Sequence, residues 1–360
     1  MTMNVETSVR ERYSAGARER VDALCCPVSY DTDLLAQLPQ EIIEKDYGCG
    51  DPTRYVQPGD TVLDLGSGGG KICYMAAQRV GDSGHVIGID MNDDMLGLAR
   101  RHQPGMAEKL GGDRVRFVKG RIQDLGLDVE ALDDYLRTLP VNSHADYAAL
   151  QAWEQTQRQT RPLIPDASVD LVISNCVLNL VADPEKQQLV EEIFRVLKPG
   201  GRVAISDIVS DQPVPAALKN NPELSSGCLT GAFHEAAFLQ EFTAAGFHAA
   251  RYDKWDAQPW RVVAGIQFRS VTLTAIKPLR AAGHDARRSV LYRGPFAAVT
   301  DDAGNHYARG QRIMVNSQVH GLLTSAAYAD AFIDLEADTG MPAGGCCGAP
   351  ADQESDTCCS

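Results

Sequence analysis

One glycine-rich stretch decides the fold: Thr61-Val62-Leu63-Asp64-Leu65-Gly66-Ser67-Gly68-Gly69-Gly70-Lys71-Ile72-Cys73. Its first five residues predict a short apolar strand, and a helix is predicted to begin at Gly70. Between them the backbone must turn sharply and let a ligand approach closely, which glycine permits because it has no Cβ. The glycines follow the spacing G-x-G-x-G. Nicotinamide dinucleotide sites use G-x-G-x-x-G, so the spacing argues against such a site.

Two acidic residues accompany this loop. Asp64 lies just before the glycines, and Asp90 ends the next apolar strand. Asp90 alone would also fit a nucleotide-binding fold, so the loop and both acids have to be taken together. In combination they resemble the cofactor site of the class I methyltransferases that use S-adenosylmethionine. That resemblance implies that Asp64 faces the amino acid end of the cofactor and that Asp90 faces the ribose hydroxyls.

Strands and helices alternate along much of the chain, which is typical of a parallel sheet with crossover helices. Doubly wound sheets bind ligands at the carboxyl ends of their strands, where the strand order reverses. The predicted fold class is therefore α/β, a doubly wound Rossmann-like methyltransferase sheet with a small α+β C-terminal domain. The predicted strands are Thr61–Leu65, His85–Asp90, Val115–Lys119, Val169–Ser174 and Arg202–Asp207, and the predicted helices are Gly70–Val80, Asn92–Gln103, Pro184–Leu197 and Glu235–Ala245.

Changes in pattern divide the chain into four predicted parts. Residues 1–45 form an N-terminal helical segment. Residues 46–276 form the S-adenosylmethionine-binding methyltransferase domain, with a polar, helix-prone insertion at about 128–161. Residues 277–337 form the small C-terminal domain, and residues 338–360, rich in Gly, Ala, Asp and Cys, predict a disordered tail.

Composition and charge argue against several kinds of partner. The chain has 360 residues and a formal charge of −14, whereas nucleic acids and anionic membranes bind basic patches. No run of about 18 apolar residues is present, and the polar, charged start of the chain is unlike a secretory signal. We therefore predict a cytoplasmic protein with no nucleic-acid or membrane partner, whose ten cysteines are mainly reduced.

Four cysteines lie on segments that this fold brings toward the cofactor. Cys73 is in the first turn of the helix after the glycine loop, where the helix dipole favours a thiolate. Cys176 follows the fourth strand, Cys228 follows the fifth, and Cys49 lies in a glycine-flanked loop before the first. A buried cysteine often serves only as a small hydrophobe. Four cysteines on segments that approach the same cofactor site favour a shared function.

At these residues the chain closely resembles the arsenite methyltransferase family, which transfers methyl groups from S-adenosylmethionine to trivalent arsenic. The resemblance extends from about Tyr47 to Asn316. The glycine loop is shared by many methyltransferases, whereas the placed cysteines are specific to this family. The segments that carry it are Tyr47-Gly48-Cys49-Gly50, the glycine loop through Cys73-Tyr74, Gly88-Ile89-Asp90-Met91, Ile173-Ser174-Asn175-Cys176-Val177-Leu178-Asn179-Leu180 and Gly227-Cys228-Leu229-Thr230-Gly231-Ala232.

The resemblance implies a role for each of the four cysteines. Cys176 and Cys228 bind arsenic(III), Cys73 joins them as third thiol and redox partner, and Cys49 takes part in the thiol relay. Arsenite or its thiol conjugates would be the substrate. Thioredoxin or glutathione would be the thiol reductant that returns electrons.

The expected chemistry fits these residue types. Trivalent arsenic is soft and prefers thiolate sulfur to oxygen, and its lone pair is the nucleophile, so no general base is required. Transfer of a methyl cation oxidises arsenic to the pentavalent state. Two thiols can return the electrons by forming a disulfide, and Cys73 is the expected partner of Cys176 in that step.

The resemblance to the methyltransferases also implies a set of cofactor-binding residues. Asn175 is expected near the carbonyl or amine of the cofactor. Met91, expected to pack on adenine, could equally be a core residue, and Tyr47 could be structural. The full predicted set is Tyr47, Asp64, Gly66, Ser67, Gly68, Gly70, Asp90, Met91, Ile122, Gln123 and Asn175.

Two other functions remain open from the sequence. A methyltransferase of the same fold could act on a small organic acceptor, and its activity would not depend on Cys176 or Cys228. A thiol-rich protein could instead bind arsenic or a metal without catalysis, and binding would then not depend on the glycine loop.

Overall fold

The computed structural model describes residues 13–16, 28–45, 47–219, 229–279, 287–325, 327–328 and 330–336. The chain divides into two compact units at the boundary between Leu279 and Arg280. The first unit holds the glycine loop.

The first unit is built on a sheet whose five central strands are parallel. Strand β1 pairs with β2 on one side and with β4 on the other, so the strand order reverses there. The carboxyl ends of β1 and β4, at Leu65 and Asn175, therefore flank the crevice where doubly wound sheets bind ligands. In the order β3-β2-β1-β4-β5 the strands are β1 Thr61–Leu65, β2 His85–Asp90, β3 Val115–Lys119, β4 Val169–Asn175 and β5 Leu197–Ser210.

Beyond β5 the sheet continues with antiparallel strands. β9 runs antiparallel to β5, and β7 runs antiparallel to β9. A turn at Ala264 and Gly265, both with positive φ, separates the strand Arg261–Val263 from the strand Ile266–Ile276. These strands are β6 Phe233–His234, which pairs with β5, β7 His248–Trp255, β8 Arg261–Val263, which pairs with β9, and β9 Ile266–Ile276.

Helices cover both faces of the sheet. Adjacent strand residues point to opposite faces, so Val62 belongs to an apolar cluster with Met75 and Leu96, while Leu63 belongs to another with Leu189 and Phe238. Among the described residues, no helix combines the length and apolar character needed to cross a bilayer. The helices of this unit are α1 Thr32–Ala36, α2 Gln40–Glu44, α3 Lys71–Val80, α4 Asp93–Leu110, α5 Val129–Thr138, α6 His144–Thr160, α7 Lys186–Val196, α8 Ala216–Lys219 and α9 Glu235–Ala244, with short 3-10 turns at Pro52–Tyr55, Leu178–Leu180 and Asp183–Glu185.

Helix α4 is longer than the sequence predicts. The predicted end at Gln103 is wrong, because the helix continues through Pro104 to Leu110. Proline removes one helical hydrogen bond, but Met106, beyond it, is buried in the core. The helix ends where Gly111, with φ 72°, caps it through N–H bonds to the carbonyls of Ala107 and Glu108.

The predicted insertion forms helices α5 and α6. The side chain of Asp128 caps α5 by accepting from an N–H in its first turn, and Ser143 does the same for α6. The rings of Tyr135 and Trp153 lie 4.7 Å apart between the two helices. The two helices of the insertion therefore contact each other through these rings.

The second unit is a small α+β structure with its own core. Strand β10 lies between β13 and β14, and β11 and β12 form a hairpin. Tyr292, Tyr307 and Phe332 are buried together in its apolar cluster. Its elements are β10 Arg288–Tyr292, β11 Ala298–Thr300, β12 His306–Ala308, β13 Arg312–Val315, α10 Ser317–Leu323 and β14 Phe332–Asp334.

Candidate active site

The glycine loop makes a tight left-handed turn between β1 and α3. Gly66, Gly68 and Gly70 have φ of 70°, 52° and 90°, a region that residues with a Cβ rarely adopt. A Cβ on Gly66 would lie only 2.4 Å from Cγ1 of Val177. The loop thus packs directly against the segment that follows β4.

Asp90 fixes this loop from the end of β2. One carboxylate oxygen accepts from the backbone N–H of Gly68 at 2.8 Å, and the other accepts from the N–H of Asn92 at 2.8 Å. Burial raises the pKa of the Asp90 carboxyl, and these bonds act in the opposite direction. The backbone N–H of Met91 is a third donor to this carboxylate. Because the two oxygens together offer about four lone-pair sites, the carboxylate retains an acceptor site for a hydroxyl donor.

The hydroxyl of Ser67 is a second polar group at the loop. Its Oγ is buried and has no hydrogen-bond partner within the part of the chain that the structure describes. Buried polar side-chain atoms usually have a partner. Together with the remaining acceptor site of Asp90, this hydroxyl suits a polar ligand lying against the loop.

Cys73 is directed toward β1 from the third position of helix α3. Its Sγ donates to a carboxylate oxygen of Asp64 at 3.2 Å, and both side chains are buried. A Cβ on Gly88 would lie 2.7 Å from this sulfur. Cys73 therefore lies beneath the glycine loop and belongs to the same apolar cluster as Met75.

The backbone of Cys49 is hydrogen-bonded through both its N–H and its carbonyl oxygen. The amide oxygen of Asn175 accepts from the N–H of Cys49 at 2.9 Å and from the N–H of Gly50 at 3.0 Å. The carbonyl of Cys49 accepts from the hydroxyl of Ser270 at 2.6 Å. Gly48 is required here because a Cβ would lie 2.2 Å from Nδ2 of Asn175.

Cys176 is positioned by the end of β4. Its backbone N–H donates to the carbonyl of Ser206 on β5 at 2.7 Å. Its φ is 66°, a conformation that is uncommon outside glycine and typical of functional sites. The next residue is Val177, which contacts the glycine loop, so this thiol lies beside the predicted cofactor site.

The structure brings Cys49 and Cys176 together with a third group, Asp207. One ligand atom from each, two sulfurs and a carboxylate oxygen, all lie within 4.8 Å of one another, and all three residues are buried. Cys73 is not a member of this group and lies in a different apolar cluster. Cys228 lies outside the described residues, as do Cys25, Cys26 and the cysteines of the tail.

Sequence reasoning missed Asp207. It lies within β5, where its Oδ1 accepts from Nδ2 of Asn179 at 2.7 Å and from the N–H of Ile208 at 2.8 Å. Burial raises the pKa of its carboxyl to about 7, although these donors and the nearby Lys186 act in the opposite direction. Its position at the end of the predicted fifth strand was the one signal that could have singled it out.

The comparisons with known proteins identify the family. Residues 57–246 match the methyltransferase domain family, and residues 280–357 match a domain of unknown function. Curated arsenite methyltransferases from Halobacterium salinarum and Aquipseudomonas alcaligenes are 34% and 32% identical over 70% and 75% of this chain. The chain spans 56% and 71% of the lengths of these relatives. The chain belongs to the arsenite methyltransferase family.

A solved structure supports the same conclusion. The crystal structure of an arsenic(III) S-adenosylmethionine methyltransferase from Chlamydomonas reinhardtii is 28% identical, with a TM-score of 0.58, over 86% of this chain and 96% of that chain. The predicted family and fold class are therefore confirmed. This arsenite methyltransferase family member is an S-adenosylmethionine-dependent enzyme, and the predicted cofactor is confirmed.

The glycine loop fits that cofactor. The Asp90 carboxylate is a suitable acceptor for a ribose hydroxyl, and the buried Ser67 hydroxyl is a suitable partner for the amino acid portion. Both contacts stay predictions. Asn175 was predicted to contact the cofactor. In the structure its amide oxygen bonds to the Cys49 loop, and its amide nitrogen donates to the hydroxyl of Tyr30 at 3.1 Å. Its expected contact with the cofactor stays a prediction.

The other predicted cofactor residues have observed burial or partners of their own. Met91 is half-buried, and Ile122 is buried in the core. Gln123 donates to Glu185 at 3.2 Å, and the hydroxyl of Tyr47 donates to the carbonyl of Gly16 at 3.2 Å. Their roles toward the cofactor remain predictions.

Proposed function

We propose that this chain transfers methyl groups from S-adenosylmethionine to trivalent arsenic held on buried thiolates. The observation that carries the proposal is the placement of the Cys49 and Cys176 sulfurs within 4.8 Å of each other. Val177, next to Cys176, contacts the glycine loop at Gly66. A soft ion held on these thiols would therefore lie beside the bound cofactor.

The donor atoms suit arsenic(III). Thiolate sulfur is the preferred ligand of soft ions, and both cysteines are buried. Cys176 and Cys228 are proposed as arsenic ligands by the family resemblance, and Cys49 lies beside Cys176. Arsenite or its thiol conjugates would then exchange oxygen or thiol ligands for these sulfurs.

The residues of the chain hold the reacting groups in line and exclude water. When bound at the glycine loop, S-adenosylmethionine supplies a methyl group on a positively charged sulfur, which the arsenic lone pair accepts. Asp90 and Ser67 orient the cofactor, while Cys176 holds arsenic. Rate acceleration would come mainly from this alignment within a buried site, and no proton has to be removed from the nucleophile.

A thiol relay returns the electrons after each transfer. Methyl transfer oxidises arsenic from the trivalent to the pentavalent state, and two cysteine thiols reduce it again by losing two protons and forming one disulfide. Cys73, which bonds to Asp64, is proposed as the partner of Cys176 in this disulfide, and Cys49, whose sulfur lies within 4.8 Å of that of Cys176, is proposed as the further relay thiol. Thioredoxin or glutathione would reduce the disulfide, which places the reaction in the reducing cytoplasm.

The test is product analysis with the purified chain. Wild-type protein is incubated with S-adenosylmethionine, arsenite and a thiol reductant beside Cys176→Ser, and arsenic species are separated. Methylated arsenic from the wild type alone supports the proposal. Cofactor binding by both proteins without methylated arsenic from either would point instead to a small organic acceptor.

A further inference from the structure

The cluster formed by Cys49, Cys176 and Asp207 has a donor set that arsenic chemistry does not require. Arsenic(III) is satisfied by sulfur, whereas this cluster adds a buried carboxylate oxygen within 4.8 Å of both sulfurs. Two thiolates and a carboxylate are typical ligands of zinc, a borderline-soft divalent cation. Calcium and magnesium prefer sites made entirely of oxygen.

We infer that Cys49, Cys176 and Asp207 form a binding site for a borderline-soft or soft divalent cation, zinc or cadmium, and that the bound cation excludes arsenite. The exclusion rests on the proposed function, because Cys176 would serve both ions. The cation site itself stands on the geometry of the three residues.

The spacing of the ligand atoms is close to that of a filled site. Zinc–sulfur bonds of about 2.3 Å in a tetrahedron place two sulfurs about 3.8 Å apart. The three ligand atoms here lie within 4.8 Å of one another, so a shift of about 1 Å or less would close the site. Side-chain rotation supplies a movement of that size without a change in the backbone.

The backbones of both cysteines are fixed in advance. Cys49 is bonded on both sides, through its N–H to Asn175 and through its carbonyl to Ser270. Cys176 is bonded through its N–H to the carbonyl of Ser206. Such preorganisation lowers the cost of ordering the ligands when an ion binds.

The carboxylate is also held in place. Oδ1 of Asp207 accepts from Asn179 and Ile208, and Oδ2 accepts from the N–H of Asn179 at 3.3 Å. Hydrogen bonds of this kind orient carboxylate ligands at metal sites, and their loss lowers metal affinity. With three protein ligands, a tetrahedral ion keeps a fourth position for water or for another thiol.

The binding test uses the reduced full-length chain without S-adenosylmethionine or arsenite. Zinc affinity is measured by calorimetry, and cadmium–thiolate bonds are followed by ultraviolet absorption. All variants are made in one background, so that adjacent cysteine pairs elsewhere do not bind the probe. That background carries serine at Cys25, Cys26, Cys346, Cys347, Cys358 and Cys359.

We expect one equivalent of zinc to bind to this background. Cys49→Ser and Asp207→Asn should each weaken it by at least tenfold, whereas Cys73→Ser, a buried thiol in another cluster, should leave it within about twofold. Thermal unfolding of each variant shows whether it is folded. Zinc binding that survives Cys49→Ser and Asp207→Asn, or that is lost in Cys73→Ser, would refute the site.

Competition separates this inference from the proposed function. Zinc should displace arsenite from the background protein and magnesium should not, and Asp207→Asn should weaken zinc binding more than arsenite binding. Equal effects of Asp207→Asn on both ions would refute a cation site that uses the carboxylate. Zinc binding without arsenic methylation would refute the proposed function alone, since zinc binding is measured without arsenite.

Discussion

The side-chain oxygen of Asn175 accepts a hydrogen bond from the backbone N–H of Cys49 at 2.9 Å, across 126 residues of sequence. It accepts a second bond from Gly50. Through this amide, the end of β4 positions the loop that carries Cys49 beside Cys176. The distance between the two thiols therefore depends on a side chain that was predicted to contact the cofactor.

Replacing Asn175 by Ala should weaken arsenite binding without weakening S-adenosylmethionine binding. The N–H groups of Cys49 and Gly50 would lose their acceptor, and each buried unsatisfied group costs about 1–3 kcal/mol. Arsenite affinity should fall at least tenfold, while S-adenosylmethionine affinity should change little. Calorimetry with each ligand measures both. Weakened cofactor binding with arsenite binding intact would assign Asn175 to the cofactor instead.

Adding a methyl group at Gly48 should disturb the same loop by steric contact. In Gly48→Ala the Cβ would lie 2.2 Å from Asn175 and 2.8 Å from the hydroxyl of Tyr30. We expect loss of methylation and a lower melting temperature. Gly105→Ala is the matched control, because it lies in helix α4 with open space around it and should be neutral or stabilise by about 0.5–1 kcal/mol. Equal behaviour of the two variants would contradict the packing described for this loop.

Gly66→Ala should abolish cofactor binding through two effects. Its φ of 70° disfavours any residue with a Cβ, and that Cβ would lie 2.4 Å from Val177. Gly111→Ala isolates the first effect, since its φ is 72° and nothing lies within 4 Å. We expect Gly111→Ala to lose about 1–2 kcal/mol of stability and to bind S-adenosylmethionine normally. Normal cofactor binding by folded Gly66→Ala would show that the loop does not hold the cofactor.

The relay predicts a defect in turnover rather than in the first transfer when Cys73 is changed. Cys73→Ser keeps a donor toward Asp64, and Cys73→Ala removes it. Both variants should bind arsenite and S-adenosylmethionine, and both should stop after about one methyl transfer for lack of the relay disulfide. Rapid-quench counting of methyl groups per enzyme gives the result. Several turnovers by either variant would remove Cys73 from the relay.

Glu41 should make the stability of the first unit depend on acidic pH. Hydrogen bonds from His102 and Lys45 lower the pKa of Glu41 from 4.5 to about 2. Because the unfolded state binds this proton first as pH falls, the stabilisation is present above about pH 4.5 and is lost between about pH 4.5 and 2. The side chain is 37% exposed, so the effect should not exceed about 1 kcal/mol.

Denaturant unfolding of wild type and Glu41→Gln at several pH values measures this contribution. The difference in the free energy of unfolding between the two proteins should shrink as pH falls through that range. A difference that grows toward low pH would contradict the assignment, because a raised pKa would be needed to produce it.

The sheet and its cofactor loop could be predicted because their signals are local. Apolar runs ending at Leu65 and Asp90 mark the strands, and the left-handed turns at Gly66, Gly68 and Gly70 require glycine. By contrast, the length of helix α4 was underestimated because the burial of Met106 outweighs the local effect of Pro104.

The cluster of two cysteines and an aspartate could be predicted only in part, because its geometry depends on contacts between distant segments. Cys49, Cys176 and Asp207 are joined by the pairing of β4, β5 and β9, and no spacing in the sequence places an aspartate from within β5 beside two cysteines. The same limit applies to Asn175, which was expected to lie near the carbonyl or amine of the cofactor. The contact with Cys49 arises from a loop 126 residues earlier.

The central claim is that the methyl group of S-adenosylmethionine ends on arsenic held by Cys176, and a single-turnover label transfer tests it most directly. Wild-type chain and Cys176→Ser, each shown to bind the cofactor, are mixed with methyl-labelled S-adenosylmethionine and arsenite, and the label is located after one turnover. We predict labelled methylarsenic from the wild type and none from Cys176→Ser. Label remaining on S-adenosylmethionine in the wild type, or equal transfer by Cys176→Ser, would contradict the account.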